Sequence, residues 1–174
     1  MAHADDSAQR QFPISARRKV FSALCVAWMV IFAVVHVAWA LGSGFGLPAG
    51  FEVPGHTALF IIDIIAIPLC LIGALLAIAQ AHPRAERFVK VVIVLSWATA
   101  LLGVVHSINN IIADVGMVFG LVAVPTSPYD RITDFLFEPW WLVGGILFGL
   151  AAWALQVDSH TVWRTNRVKA GATK

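Results

Sequence analysis

The sequence predicts an all-α protein, a four-helix transmembrane bundle with a short interfacial helix before the last span. Three observations carry that expectation. Of 174 residues, 59% are hydrophobic and only 13% charged, with a mean hydropathy of +0.81, whereas a soluble domain is about half apolar and about a quarter charged. Four apolar runs are each long enough to cross about 30 Å of hydrocarbon as a helix. Lys and Arg are confined to the flanks of those runs. Backbone groups in lipid must bond internally, which selects helices, and the short alternating segments of a β-barrel are absent.

The elements follow in order. Residues 1–19 form a polar tail read as cytoplasmic. Residues 20–156 form the membrane domain, with spans at about 20–41, 57–81, 88–113 and 139–155, and 157–174 form a second, basic tail. Span one, VFSALCVAWMVIFAVVHVAWAL, is longer than the apolar core of a signal peptide, so it is read as a retained span. The loop SGFGLPAGFEVPG is rich in Gly and Pro and reads as compact turns. Thr57 is the expected cap of span two, and Pro68 inside that span predicts a kink. Span three carries an apolar extension towards Val124. Ser127-Pro128-Tyr129-Asp130 has the form of a helix start, a cap followed by proline and an acid, and predicts a short helix over Asp130–Phe137. Span four begins at Pro139, with Trp140 and Trp141 at headgroup depth. Its Gly145-x-x-x-Gly149 permits close helix approach, either inside the bundle or in a homo-oligomer. Spans one and three share a faint echo, Trp28…Val-Val-His36 and Trp97…Val-Val-His106.

Charge sets the expected topology. Arg10, Arg17, Arg18, Lys19, Arg84, Arg87, Lys90, Arg164, Arg167, Lys169 and Lys174 share one side of a four-span chain, and Arg131 stands alone on the other. The positive-inside rule then places both termini in the cytoplasm of a multi-pass plasma-membrane protein. A net charge of +2 needs no nucleic acid, and contact of the basic tails with anionic lipid accounts for it. Cys25 and Cys70 form no C-x-x-C pair and read as small buried residues.

The informative residues are the ionisable ones inside the spans, because a charge at mid-membrane costs about 2.5–3.5 kcal/mol on insertion scales. His36, Asp63 and His106 each sit a few residues below the outer end of their span. At 1.5 Å per residue they share a layer roughly 7–11 Å below the outer surface. Asn109, Asn110 and Asp114 lie above His106, and Trp39 sits one turn beyond His36. The inner half shows no comparable group. The expectation is one polar pocket built on His36, Trp39, Asp63, His106, Asn109, Asn110 and Asp114. It would be roofed by the Gly/Pro loop and the Asp130–Phe137 helix. Glu138, beside Pro139, reads as a helix-start charge.

Five uses of such a pocket stay open. It is a hydrogen-bonded plug that fixes helix register, or a binding module for a small molecule or lipid. It is an enzyme site in which Asp63 orients an imidazole. It is a ligand set, with His36 and His106 on haem or His36, His106 and Asp63 on a metal. Ion conduction would require oligomerisation. The cofactor, if any, is left open.

His36-Val37-Ala38-Trp39-Ala40-Leu41-Gly42, followed by Gly46-Leu47-Pro48, resembles an uncharacterised family of small four-span membrane proteins. These are common in actinobacteria and are classed under a domain of unknown function. Phe137-Glu138-Pro139-Trp140-Trp141-Leu142 through Trp153 is similar to the last span of that family, and the likeness covers residues 20–156. It implies four spans and marks the unit of His36, Trp39 and the Gly-rich loop as a candidate functional centre. It implies no reaction, substrate or cofactor.

Overall fold

A computed structural model describes residues 14–171, including the side chains of all but 84–86, 109 and 162–171. Four helices are long and apolar enough to cross a membrane. Helix α1 spans Ala16–Ala40, α2 Thr57–Ala81, α3 Val89–Val118 and α5 Glu138–Gly171, with the short α4 at Pro128–Ile132. Tight 3-10 turns at Val53–Gly55 and Pro83–Phe88 lead into α2 and α3.

The ends of these helices have local causes. Ser15 caps α1, its hydroxyl accepting from the Arg18 amide. At the far end, Ser43 N–H reaches the Ala38 carbonyl and Gly42 N–H that of Trp39, at 2.9 Å each. That closure needs a left-handed residue, and Gly42 supplies it at φ +87°. A matching closure at Gly120 ends α3 at Val118, short of the apolar extension. Thr57 is the first residue of α2 rather than its cap; His56 holds the cap position without a side-chain hydrogen bond. Ser127 caps α4 as its pattern predicts, accepting from Asp130 N. A π-helical turn at Thr133–Phe137 then joins α4 to α5 without a break. Pro139 has no N–H for the Phe135 carbonyl and its ring crowds that oxygen, so the wider turn relieves the clash.

The helices pack as two pairs, α1 on α2 and α3 on α5, joined along α1 and α5, while α2 and α3 meet only sparsely. The core between the pairs holds Cys25, Met29 and Phe32 of α1, Ala74 and Ala77 of α2, and Phe148 of α5. Outward faces carry exposed Ile and Leu, such as Ile61, Ile65, Leu69 and Leu75 on α2, as a lipid-facing surface should.

Close approach of α3 and α5 depends on glycine. A Cβ at Gly145 would sit 2.9 Å from the Ala100 carbonyl oxygen and from the Val104 nitrogen, and one at Gly103 would sit 3.0 Å from Gly145 Cα. Gly149 also faces α3, at ordinary contact distance from Trp97 and Ala100. Both glycines of the Gly145-x-x-x-Gly149 motif therefore face α3 inside the bundle, the first of the two readings of the motif.

The expected emptiness of the half nearer the termini is also corrected. Arg18 is 2% exposed and Gln80 is fully buried. Arg18 Nε donates to the Gln80 backbone carbonyl. Gln80 Nε2 donates to Ser96 Oγ at 2.7 Å, and Ser96 Oγ to the Val92 carbonyl at 2.6 Å. Asp158 of α5 accepts from Ser15 Oγ at 2.9 Å and pairs with Arg17 and Arg18 at 3.7 and 3.9 Å. Residues 16–19 belong to α1 rather than to a polar tail, and α5 continues past 157 to Gly171. The Ser15–Asp158 contact places the start of α1 beside the late turns of α5, at what we call the basic end of the bundle. The opposite end, holding Glu52, Asp130 and Asp134, is the acidic end.

Candidate functional site

The predicted residues sit towards the acidic end, in two pairs. His36 Nδ1 donates to Asp63 Oδ1 at 2.6 Å, tying α1 to α2 with both side chains under 10% exposed. A carboxylate acceptor requires a proton on Nδ1, so the neutral ring leaves Nε2 as a bare acceptor. That far nitrogen is buried and has no hydrogen-bond partner, and neither has Asp63 Oδ2. An imidazole held in this way can accept a hydrogen bond or take a proton.

His106 goes elsewhere. Its side chain is 48% exposed and its Nε2 lies 3.6 Å from Glu138 Oε1. Glu138 is 5% exposed, and its second oxygen is buried without a partner. Among the described residues, no ion pair joins His106 to Asp63. The single expected centre is thus divided, and no three His, Cys, Asp or Glu side chains among the described residues converge as a metal site would require. That corrects the metal alternative of His36, His106 and Asp63. Rings occupy the route between the two imidazoles: His36 against Phe32 at 4.5 Å, Phe32 against Trp141 at 5.3 Å, and Trp141 against His106 at 4.8 Å. The Trp28/Trp97 echo has no common role either, since Trp28 is buried and Trp97 is 44% exposed.

The remaining predicted residues divide as well. Trp39 is buried, and its indole donates to the Phe45 carbonyl at 2.7 Å, anchoring the Gly/Pro loop to α1. Its ring meets His36 at 5.3 Å and Phe137 at 5.1 Å. Asp114 is buried, with Oδ1 unpartnered, within electrostatic reach of Asp134 and Glu138. Asn110 is half-buried, and the Asn109 side chain lies outside those described. A stack of His56, Phe51 and Tyr129, with centroids 4.4 and 4.7 Å apart, clasps the loop to α2 and α4.

Sequence reasoning missed Glu138 and the space beneath these pairs. Glu138 was legible only as a charge next to a span-starting proline; the π turn before it leaves it facing the bundle. Where α2 and α3 stand apart, an apolar groove of about 530 Å³ opens. Trp28 and Phe32, Ile62 and Ala66, Leu102 and Gly103, and Trp141 line it on four helices. His36, Asp63, His106 and Glu138 lie in sequence next to or one turn from the liners Phe32, Ile62, Gly103 and Trp141 respectively, but none of the four lines the groove, whose walls are almost wholly apolar.

These features define a polytopic α-helical integral membrane protein with two imidazole–carboxylate pairs and an apolar groove between its helices. The chain belongs to the family described as Protein of unknown function (DUF3995), whose model matches residues 29–148. The match takes in both imidazole–carboxylate pairs and the groove-lining residues named above except Trp28, and leaves out Arg18 and Asp158. No curated protein and no solved structure matches the chain.

Proposed function

We propose that this protein is a membrane-embedded binding module for an amphiphile, whose hydrocarbon part occupies the α2–α3 groove and whose polar head meets the His36–Asp63 and His106–Glu138 pairs. The positive-inside rule puts the basic end and both termini in the cytoplasm, and the head-binding layer in the outer leaflet of the plasma membrane.

One observation carries this reading, the contrast between the two polar layers. At the basic end, Gln80 and Ser96 satisfy one another and the backbone, as a register-fixing plug should. At the acidic end, His36, Asp63, Asp114 and Glu138 each keep a buried polar atom without a partner. Such an atom costs about 1–3 kcal/mol of desolvation. A plug has no use for that cost, whereas a ligand head can offset it. The groove has lining residues within one turn of His36, Asp63 and Glu138 and opens between two membrane-crossing helices, so hydrocarbon is its natural content.

The test is native mass spectrometry of the full chain released from phosphatidylcholine nanodiscs. Wild type is expected to retain one phosphatidylcholine per chain at collision energies that strip peripheral lipid. Ala98→Phe, which places a ring in the groove, is expected to lose it while unfolding at an unchanged temperature. Equal retention by the two chains refutes the proposal.

A further inference from the structure

Helix α3 is longer than a crossing needs. It holds 30 residues, where α1 and α2 hold 25 each. At 1.5 Å per residue its length is about 45 Å, against about 30 Å of hydrocarbon. Such a span either tilts or leaves the bilayer. A helix that leaves for water should turn polar where it does so, and this one stays apolar. Between residues 91 and 127 the ionisable residues are His106 and Asp114, and Asp114 is buried.

The exposed side chains continue one surface. Leu101, Val105, Ile108, Ile112, Val115 and Val118 are all exposed and follow one another by three or four residues, so they form a single stripe along α3. Its middle faces lipid, and its end runs without a polar break into the turn beyond the helix. There Phe119 is 73% and Leu121 81% exposed. The stripe thus grades into the turn without the polar rim of a protein interface. Across the same end of the bundle, the Gly/Pro loop exposes Glu52 and His56 instead.

The backbone of the turn suits hydrocarbon as well. Phe119 N–H bonds the Val115 carbonyl at 3.2 Å and Gly120 N–H that of Met117 at 3.0 Å. Leu121 and Val122 both give their N–H to the Gly116 carbonyl, at 2.8 and 3.3 Å. Val122 folds back over Gly116, where a Cβ would lie 2.8 Å from its Cγ2. Arg131 reaches back to the carbonyls of Pro125 and Thr126, at 2.9 and 3.1 Å. Backbone groups bonded in this way need little from water, which is the condition for entering a membrane.

We infer that residues 115–124 are a lipid-binding element, which beds in the boundary between head groups and acyl chains at the acidic end, with α3 crossing the bilayer obliquely to bring it there. The partner is the membrane itself, and the inference is independent of what fills the α2–α3 groove.

The experiment is nitroxide accessibility of the full chain in phosphatidylcholine nanodiscs. Single labels are placed through Leu121→Cys, Phe119→Cys, Leu101→Cys and Glu52→Cys, all at exposed positions, while Cys25 and Cys70 are buried. Each label's collision rate with oxygen, which prefers hydrocarbon, is divided by its rate with a neutral nickel chelate, which prefers water. The ratio at Leu121 is expected to exceed that at Glu52 by about fivefold or more and to lie at or below that at Leu101, as an interfacial depth requires. Should Leu121→Cys fail to fold, Phe119→Cys carries the same expectation. A ratio equal to that at Glu52 puts the turn in water and overturns the inference. Low rates with both reagents show the turn covered by protein, a second copy or another chain, and overturn it as well.

Discussion

Gly145 and Gly149 occupy the two ends of one sequence motif, and alanine at each should have opposite effects. At Gly145 the new Cβ would lie 2.9 Å from both a carbonyl oxygen and an amide nitrogen of α3. These are backbone atoms and cannot rotate aside, so the α3–α5 seam must open by several tenths of an ångström. Overpacking of that kind costs about 1–3 kcal/mol. Against it stands the gain from replacing glycine inside a helix, about 0.5–1 kcal/mol. At Gly149 the nearest neighbours would be Trp97 and Ala100 at 3.6 and 3.7 Å, ordinary van der Waals contact. There the helix gain stands with nothing against it. Gly145→Ala should therefore lose about 0.5–2 kcal/mol and Gly149→Ala should gain about 0.5–1 kcal/mol. Equilibrium unfolding by dodecyl sulfate in mixed micelles, followed by tryptophan fluorescence, measures both. If Gly149→Ala proves the more damaging, or if either change shifts the oligomeric state at constant fold, the assignment of this motif to the α3–α5 seam is wrong.

The same unfolding assay should separate the two polar layers. Gln80→Leu leaves the partners of a fully buried amide stranded and should lose about 1–3 kcal/mol. The double variant His36→Leu/Asp63→Ala removes both partners together with their unpartnered atoms, and should be neutral or stabilising while amphiphile binding is lost. A large loss of stability in the double variant would favour the plug. Topology is checked with a membrane-impermeant maleimide on intact cells. Cysteine at Phe45, which is 71% exposed, should label, whereas cysteine at the exposed Thr161 should label only after lysis. Wild type should stay unlabelled, since Cys25 and Cys70 are buried.

Four crossings, their approximate limits and the helical class are legible in composition and run length, because the bilayer acts on every residue of a span alike. Helix α2 coincides with the apolar run at about 57–81, which turn-forming residues precede, although its cap falls on His56 and not Thr57. His36 and Asp63 were legible as members of one layer, because burial in hydrocarbon gives each a strong reason to find some partner. The sequence is silent on which imidazole meets which carboxylate, since depth along a helix follows from counting but direction around it follows from packing. Thus His106 met Glu138, a residue that local pattern assigned to a helix start. Arg18 and Gln80 were hidden for the same reason: a polar residue near the end of a span reads as interfacial whether or not it turns inward.

The sequence by itself determined that this chain has four membrane-crossing runs, with its positive charge flanking one end and Asp63 and Asp114 set towards the other. The tertiary structure alone decided that α2 and α3 stand apart and that His36, Asp63 and Glu138 keep buried polar atoms without partners. The physical reason is that lipid solvates any apolar face equally well, so hydropathy does not say which helices touch. That choice belongs to close approaches such as Gly103 on Gly145, which pull α3 onto α5 and leave α2 with an open flank.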